Sequence, residues 1–318
     1  MSDDDVALSI VIPTFNTAAM TLATCRAARS AATRATEIIV VDDASTDNTQ
    51  ELLASELPDV RVVRLETNSR FAAAANAGVA ASRGALILLL NSDARPEREA
   101  LAAFFDAFDL DATLGIAGAQ LLNADGTPQW SGGRIPTMAW LTVLAGGFAQ
   151  FLPRRARSSN GAKAEWVSGA AMMFRRDVWN AAGPLHEEYE FYAQDLDFCV
   201  RARRAGWAVR IVEEARVTHD GGATVREWRG VGDLAHDPGL LWLDLLTWAK
   251  SYYGKEWATS ARALMAGAAV LRLAGRRLRS MTLRGEARAT YESATAVYAG
   301  AIVQLVVKRK QSARKRRG

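Results

Sequence analysis

Acidic and amide side chains gather at points in this sequence where an apolar run breaks off. Pro13 and Thr14 close the run LSIVIP, Asp42 and Asp43 follow EIIVV, and Asn91, Ser92 and Asp93 follow ALILLL. A further group, Gln194, Asp195 and Asp197, opens a helical pattern behind a loop rich in acids and aromatics that carries His186 and Glu187. Carboxylates where a loop enters a helix can take a proton, meet a metal or hold a sugar hydroxyl. They also serve as ordinary caps and dipole partners, and residues 194–197 read alone leave both uses open. Only three histidines (His186, His219, His236) and two cysteines (Cys25, Cys199) are present, without zinc-site spacing. A metal here would rest mainly on oxygen ligands, which favours Mg²⁺ or Mn²⁺.

The elements that position these residues follow from hydrophobic period. Residues 8–13, 37–42, 60–65 and 85–90 read as strands. They alternate with helical stretches at 20–32, 43–57 and 72–81, the pattern of a layered α/β domain. ALILLL is apolar enough for both of its faces to be covered, as in the middle of a parallel sheet. In such domains ligands collect beyond the carboxyl ends of strands. Three ends carrying polar groups therefore predict one cleft. Further on, residues 96–108 read as a helix, 115–122 as a strand, Asp125-Gly126 as a hairpin turn and 210–217 as another strand. A helix is expected from near Asp195, with Leu196, Cys199 and Val200 on its apolar face and Gly206 as its stop. No GxGxxG follows the first strand and no GxxxxGK[ST] occurs, so neither a dinucleotide fingerprint nor the usual ATPase loop is available.

The length of 318 residues allows one large domain with an appendage, and the formal charge of +4 is unevenly placed. Residues 308–317 are almost wholly basic, which suits an anionic surface. Two cysteines in helical segments make no disulfide framework and favour a reducing compartment. The first residues lack the basic flank of a secretory signal, and no run reaches the roughly 18–20 apolar residues that span a bilayer. Residues 138–152 are apolar and aromatic, and read either as a buried helix or as a surface flap meeting lipid or a hydrophobic acceptor. Helical tracts with five aromatics between 242 and 257, then four arginines between 272 and 279, then residues 291–307, precede the basic tail.

Taken together, the motifs resemble those of family 2 glycosyltransferases, the inverting, metal-dependent GT-A type. The likeness is nearest to bacterial rhamnosyltransferases of cell-wall and O-antigen polysaccharide assembly. Pro13-Thr14-Phe15-Asn16 matches the family's opening turn. Residues 41–47 match its VVDDxSxD segment, and Asn68 to Gly78 its asparagine- and glycine-marked helix start. Asn91-Ser92-Asp93 stands for the DxD-like motif, Gly169 opens the G-A-x-x-x-x-R-R block, residues 191–201 match F-x-Y-x-E-D-x-D-x-C-x-R, and His219 opens the late H-x-G-G block. The resemblance covers roughly residues 7–235.

It implies a Rossmann-like mixed sheet flanked by helices over residues 1–235, with a nucleotide-sugar half to about 95 and an acceptor half from 96. A helical appendage over 236–307 and a disordered basic tail over 308–318 would follow. It also implies transfer of a sugar from a nucleoside diphosphate, dTDP-rhamnose or a UDP-hexose, to a hydroxyl of a glycan or polyprenyl-diphosphate-linked acceptor. Mg²⁺ or Mn²⁺ would be held by Asp93 and His219, and Asp195 would be the base. Pro13, Thr14, Asp42, Asp43, Arg70, Asn76, Asn91 and Ser92 would face the donor, with Asp43 reading the base edge and Asp42 free to hold the turn. Gly169, His186, Glu187, Gln194, Asp197 and Arg201 fall on the sugar and acceptor side. Asp197 cannot duplicate Asp195, because residues two apart on a helix do not share a face.

Four departures bear on the donor sugar. Asn91 replaces the first acid of the metal motif, Gln194 replaces the glutamate beside the proposed base, Leu185-His186-Glu187 stands for the family's F-D-E, and Arg70 with alanines replaces glycines. A catalytically impaired sugar-nucleotide or polysaccharide binder, and a nucleotidyltransferase, are the alternatives. Nucleic acid is not an expected partner, since no aromatic and basic platform is visible. The expected location is cytoplasmic, at or near the inner face of the plasma membrane, and a homodimer is open.

Overall fold

A computed structural model of the chain describes residues 6–147, 164–221 and 238–307. Two compact units form, Met1–Ile135 with Pro153–Arg229, and Pro136–Leu152 with Gly230–Gly318.

The first unit is built on an eight-stranded sheet of order β3-β2-β1-β4-β9-β6-β10-β5. The strands are β1 (Leu8–Thr14), β2 (Thr36–Asp42), β3 (Arg61–Arg64), β4 (Leu86–Leu90), β5 (Ala94–Pro96), β6 (Leu114–Leu122), β9 (Ala171–Arg175) and β10 (Ala208–His219). A separate pair, β7 (Gly132–Gly133) and β8 (Trp166–Val167), lies between them in sequence. Strand β1 runs parallel to β2 and β4, whereas β9 is antiparallel to both β4 and β6. The sheet is thus mixed, as the resemblance implied. Strand β4 is buried on both faces, but its second neighbour is antiparallel, so the apolar run reported burial and not strand direction.

Alternation along the strands divides the core. Leu8, Ile10, Ile12, Leu88 and Leu90 pack with Cys25, Leu53, Phe104 and Phe105 from α1 (Ala18–Ala31), α2 (Thr49–Glu56) and α4 (Ala100–Leu110). Val11, Ile39, Ile87 and Leu89 face the other way, onto α3 (Arg70–Ala81), α6 (Arg176–Ala182) and α7 (Gln194–Arg204). Helix α3 comes close because Gly78 has no side chain: a Cβ there would lie 2.3 Å from Val11 Cγ1. Both cysteines are buried and free, and burial raises their thiol pKa values, so neither is poised for redox chemistry.

Two helix starts differ from the sequence reading. The helix expected from residue 43 begins only at Thr49, because side chains claim the intervening backbone. Asp42 accepts the Ser45 N–H, Asn16 accepts that of Thr46, and Asp47 accepts those of Thr49 and Ala18. Residues 94–96 form a strand, not the first turn of α4, because the edge of β10 offers them a ladder. The stop at Gly206 is as read, with φ +95°.

The second unit contains α5 (Met138–Ala145), α8 (Pro238–Tyr253), α9 (Lys255–Ser280) and α10 (Gly285–Val306). This is the expected C-terminal helical appendage. Trp242, Trp248, Met265, Ala269 and Leu305 are buried in it. Arg272 stacks 4.0 Å over Tyr298 and donates to its hydroxyl, and Arg276 stacks 4.3 Å over Tyr291. These two arginines are therefore spent on bundle packing, while Arg277 and Arg279 remain exposed. Leu264, Leu271 and Leu278, seven residues apart on α9, also remain exposed. Of α5 only Leu141 and Ala145 are buried, and the rest of the 138–152 tract from residue 148 lies outside the described residues, as do the basic tail and residues 222–237.

Candidate active site

The ends of β1, β2 and β4 open on one cleft lined by Pro13, Thr14, Phe15, Asp43, Asn68, Arg70, Phe71, Ala74, Asn91, Ser92 and Phe191. Its lining combines apolar and aromatic side chains with a few polar groups, as small-molecule and cofactor sites do. The three polar strand ends meet here as their pattern predicted. Buried hydroxyls of Thr14, Thr17 and Thr21 bond one another beneath the cleft, and Thr17 also donates to Ser92 Oγ.

Asp42 and Asp43 part company at the end of β2. Asp42 is fully buried, pairs with Arg64 at 2.6 Å and accepts the Ser45 N–H, so its carboxylate holds the turn and lies away from the cleft lining. Asp43 lines the cleft and accepts the backbone N–H groups of Ser69 at 2.7 Å and Arg70 at 2.8 Å. Its carboxyl pKa is raised by desolvation, with those two hydrogen bonds opposing the shift. Arg70 sits at φ +73° and reaches Glu190 at 3.0 Å. Among described residues, the non-glycine positions with positive φ are Asn16, Ala44, Arg70 and Ala193. All four border or adjoin site loops, where backbone strain tends to collect.

Asp93, just past β4, is buried, and His219 ends β10. His219 Nε2 lies 3.4 Å from Asp93 Oδ1 and 3.4 Å from Asn91 Nδ2. The turn is braced from outside: Arg95 forms two 2.9 Å bonds to Asp220, whose own N–H donates to the Asp93 carbonyl. No group of three or more His, Cys, Asp or Glu side chains able to hold a metal occurs among the described residues. Two protein donors still suit Mg²⁺ or Mn²⁺ shared with a diphosphate, because such ions keep one or two carboxylates and take substrate oxygens for the rest. Asp93 Oδ1 and His219 Nε2 converge to 3.4 Å, so the pair would be able to hold such an ion. The residues fit the ion.

At the start of α7, Asp195 Oδ2 accepts the Gly169 N–H at 2.9 Å, and Oδ1 the Leu196 N–H at 2.8 Å. Gly169 is the common wall, since a Cβ there would lie 3.7 Å from both Asp195 Oδ2 and the cleft-lining Phe71 ring. The next residue, Ala170, accepts the Asn91 N–H through its carbonyl. Asp195 keeps some exposure, yet the protein around it desolvates the carboxylate and raises its pKa; the Gly169 and Leu196 hydrogen bonds oppose this. Gln194 donates to the Phe191 carbonyl, leaving its buried Oε1 without a partner.

The remaining predicted residues form a supporting layer. Asp197 takes His186 at 3.1 Å, Tyr189 at 3.2 Å and Arg201 at 2.8 Å. Arg201 also donates to the carbonyls of Ala182, Gly183 and Pro184, so its fork is occupied by protein. Asn76 exchanges hydrogen bonds with the Leu185 backbone in both directions and donates to Glu187. Of the predicted site residues, Pro13, Thr14, Asp43, Arg70, Asn91 and Ser92 line the cleft, whereas Asn76, Asp93, Gly169, His186, Glu187, Gln194, Asp195, Asp197, Arg201 and His219 do not. Conversely, Phe15, Phe71, Phe191 and Gln129 were not singled out as site residues. The aromatics had a signal in the motifs that flank them; Gln129 had none.

A mixed sheet flanked by helices, with a polar cleft at its strand ends, is the architecture of the GT-A fold. Residues 9–180, over half of the chain, match glycosyl transferase family 2, and the chain belongs to that family. It is 25% identical over 211 residues to an N-acetylglucosaminyl-diphospho-decaprenol L-rhamnosyltransferase of Mycobacterium tuberculosis, covering 58% of this chain and 67% of that protein. The fold is similar to that of a Pyrobaculum calidifontis mannosyltransferase solved with GDP-Man and Mn²⁺. That match has a TM-score of 0.58 and 15% identity, and covers 95% of this chain and 88% of the other. S. aureus TarS matches with a TM-score of 0.50 at 17% identity, over 93% and 91% of the two chains.

Proposed function

We propose that the protein is an inverting glycosyltransferase that moves a sugar from a nucleoside diphosphate to an acceptor hydroxyl in one displacement. The observation that carries this reading is Asp195: a desolvated carboxylate fixed by the N–H of Gly169, the residue that abuts the cleft-lining Phe71 ring. Desolvation raises its affinity for a proton, as a general base requires. The nucleoside is seated by Pro13, Phe15, Phe71 and Phe191, with the second lone pairs of Asp43 facing the base. Asp93 and His219 would hold Mg²⁺ or Mn²⁺, which neutralises the diphosphate as it leaves. Asp195 takes the acceptor proton, while Asp197, Arg201 and His186 keep α7 and the 184–192 loop in place.

The M. tuberculosis relative makes dTDP-rhamnose our first donor and a polyprenyl-diphosphate-linked glycan our first acceptor, with UDP-hexoses as the competing donors. We assign the catalytic unit to residues 1–235 and the appendage to 236–307. No helix of the described residues is long and apolar enough to cross a membrane. The exposed leucines of α9, beside Arg277 and Arg279, support a peripheral contact with anionic lipid at the inner face of the membrane. Titration with a panel of nucleoside diphosphates and their sugars, with and without Mn²⁺, tests the reading. Metal-dependent tight binding of one nucleoside diphosphate is expected, with release of that product on transfer. Release of pyrophosphate would identify a nucleotidyltransferase instead. Binding without turnover would favour the impaired relative, for which Gln194 is the structural argument.

A further inference from the structure

The imidazole of His219 has two nitrogens, and only an unprotonated one can ligate a metal. Which one is free is fixed by a residue of another element. Gln129 lies just past the hairpin that ends β6, where its N–H donates to the Leu121 carbonyl at 2.8 Å. Its side-chain Nε2 donates to the His219 carbonyl, and its Oε1 lies 3.0 Å from His219 Nδ1. A carbonyl oxygen only accepts, so the amide cannot be turned round without setting two oxygens against each other. With Oε1 held toward the ring, Nδ1 must carry the proton. In the neutral ring the lone pair then belongs to Nε2, the nitrogen that faces the Asn91 side-chain N–H at 3.4 Å and lies 3.4 Å from Asp93 Oδ1.

We propose that Gln129 is a positioning residue that locks His219 in the Nδ1–H form and so aims the Nε2 lone pair at the metal seat. This rests on the glycosyltransferase reading for the role of the metal, but the tautomer itself does not. Partners of this kind orient a ligating histidine and raise its basicity, and losing one typically weakens metal binding about 10- to 100-fold.

The chain has only three histidines, so ¹⁵N-labelled histidine gives a readable long-range ¹H–¹⁵N spectrum of the metal-free protein. His219 is expected in the Nδ1–H form in the parent. Gln129→Leu should move it toward the Nε2–H form. Added Mn²⁺ should broaden the His219 signals ahead of those of His186 and His236, at about 10- to 100-fold higher concentration in Gln129→Leu. Combining Gln129→Leu with His219→Ala should cost no more Mn²⁺ affinity than His219→Ala alone. An Nε2–H ring in the parent, or a Gln129→Leu spectrum and Mn²⁺ response equal to the parent's, overturns the proposal. An Nδ1–H ring that Gln129→Leu shifts but that Mn²⁺ leaves sharp overturns the metal reading and keeps Gln129 as the residue that sets the tautomer.

Discussion

Asp195 and Asp197 stand two residues apart on α7 and face different surroundings. Asp195 turns to the Gly169 N–H, while Asp197 turns inward to His186, Tyr189 and Arg201. The helix places them about 200° apart, so one carboxylate is available to a substrate and the other is consumed by the fold. Asp195→Asn should lower turnover by about 10²-fold or more while donor affinity stays within a few-fold. Asp197→Asn should instead lower thermal stability, by roughly 1–3 kcal/mol, because charged partners lose an acceptor. Steady-state kinetics and melting curves on the two variants separate these effects. An active Asp195→Asn protein beside a folded but inactive Asp197→Asn protein would reverse the assignment.

The raised pKa of Asp195 gives turnover a pH dependence of definite sign. A base works only when ionised, and desolvation shifts ionisation to higher pH. Turnover should therefore rise with pH through a value above the ordinary aspartate pKa of about 3.9, and be lost as pH falls through it. A kcat–pH profile with its acid limb at or below that ordinary value would contradict this.

Metal dependence should concentrate on Asp93, because Asn91 contributes no charge. Asp93→Asn should cost several kcal/mol of transition-state stabilisation, or about 10²-fold or more in rate, without unfolding the protein. Chelation should abolish activity, and Mg²⁺ or Mn²⁺ should restore it. Full turnover in EDTA would sink the proposal.

The leucine row of α9 and the basic tail should act together at an anionic surface. Flotation with anionic vesicles should recover the protein, with losses at high salt, on deletion of residues 308–318 and in a Leu271→Glu, Leu278→Glu variant. Each lysine or arginine near the lipid contributes on the order of 1 kcal/mol. Equal recovery of all forms in the unbound fraction at low salt would rule the contact out.

The strands and the cleft were legible because burial and polar strand ends leave a period in the sequence. Asp43, Asn91, Ser92 and Asp93 stand where strand ends put them. What period cannot show is which polar groups the fold uses for itself. Asp42 and Asp43 are adjacent and identical, yet only the position of Arg64, on a neighbouring strand, gives Asp42 an ion pair. Asn76 and Arg201 were read toward the ligand by their motifs, but both spend their polar atoms on loop carbonyls. Gln129 was invisible because its partner lies 90 residues away in sequence.

The exchange between Asn76 and Leu185 joins positions 109 residues apart by reciprocal hydrogen bonds. The two bonds tether the loop behind α6 to α3, so that loop keeps its place against the helix whatever length the loops between the intervening strands take.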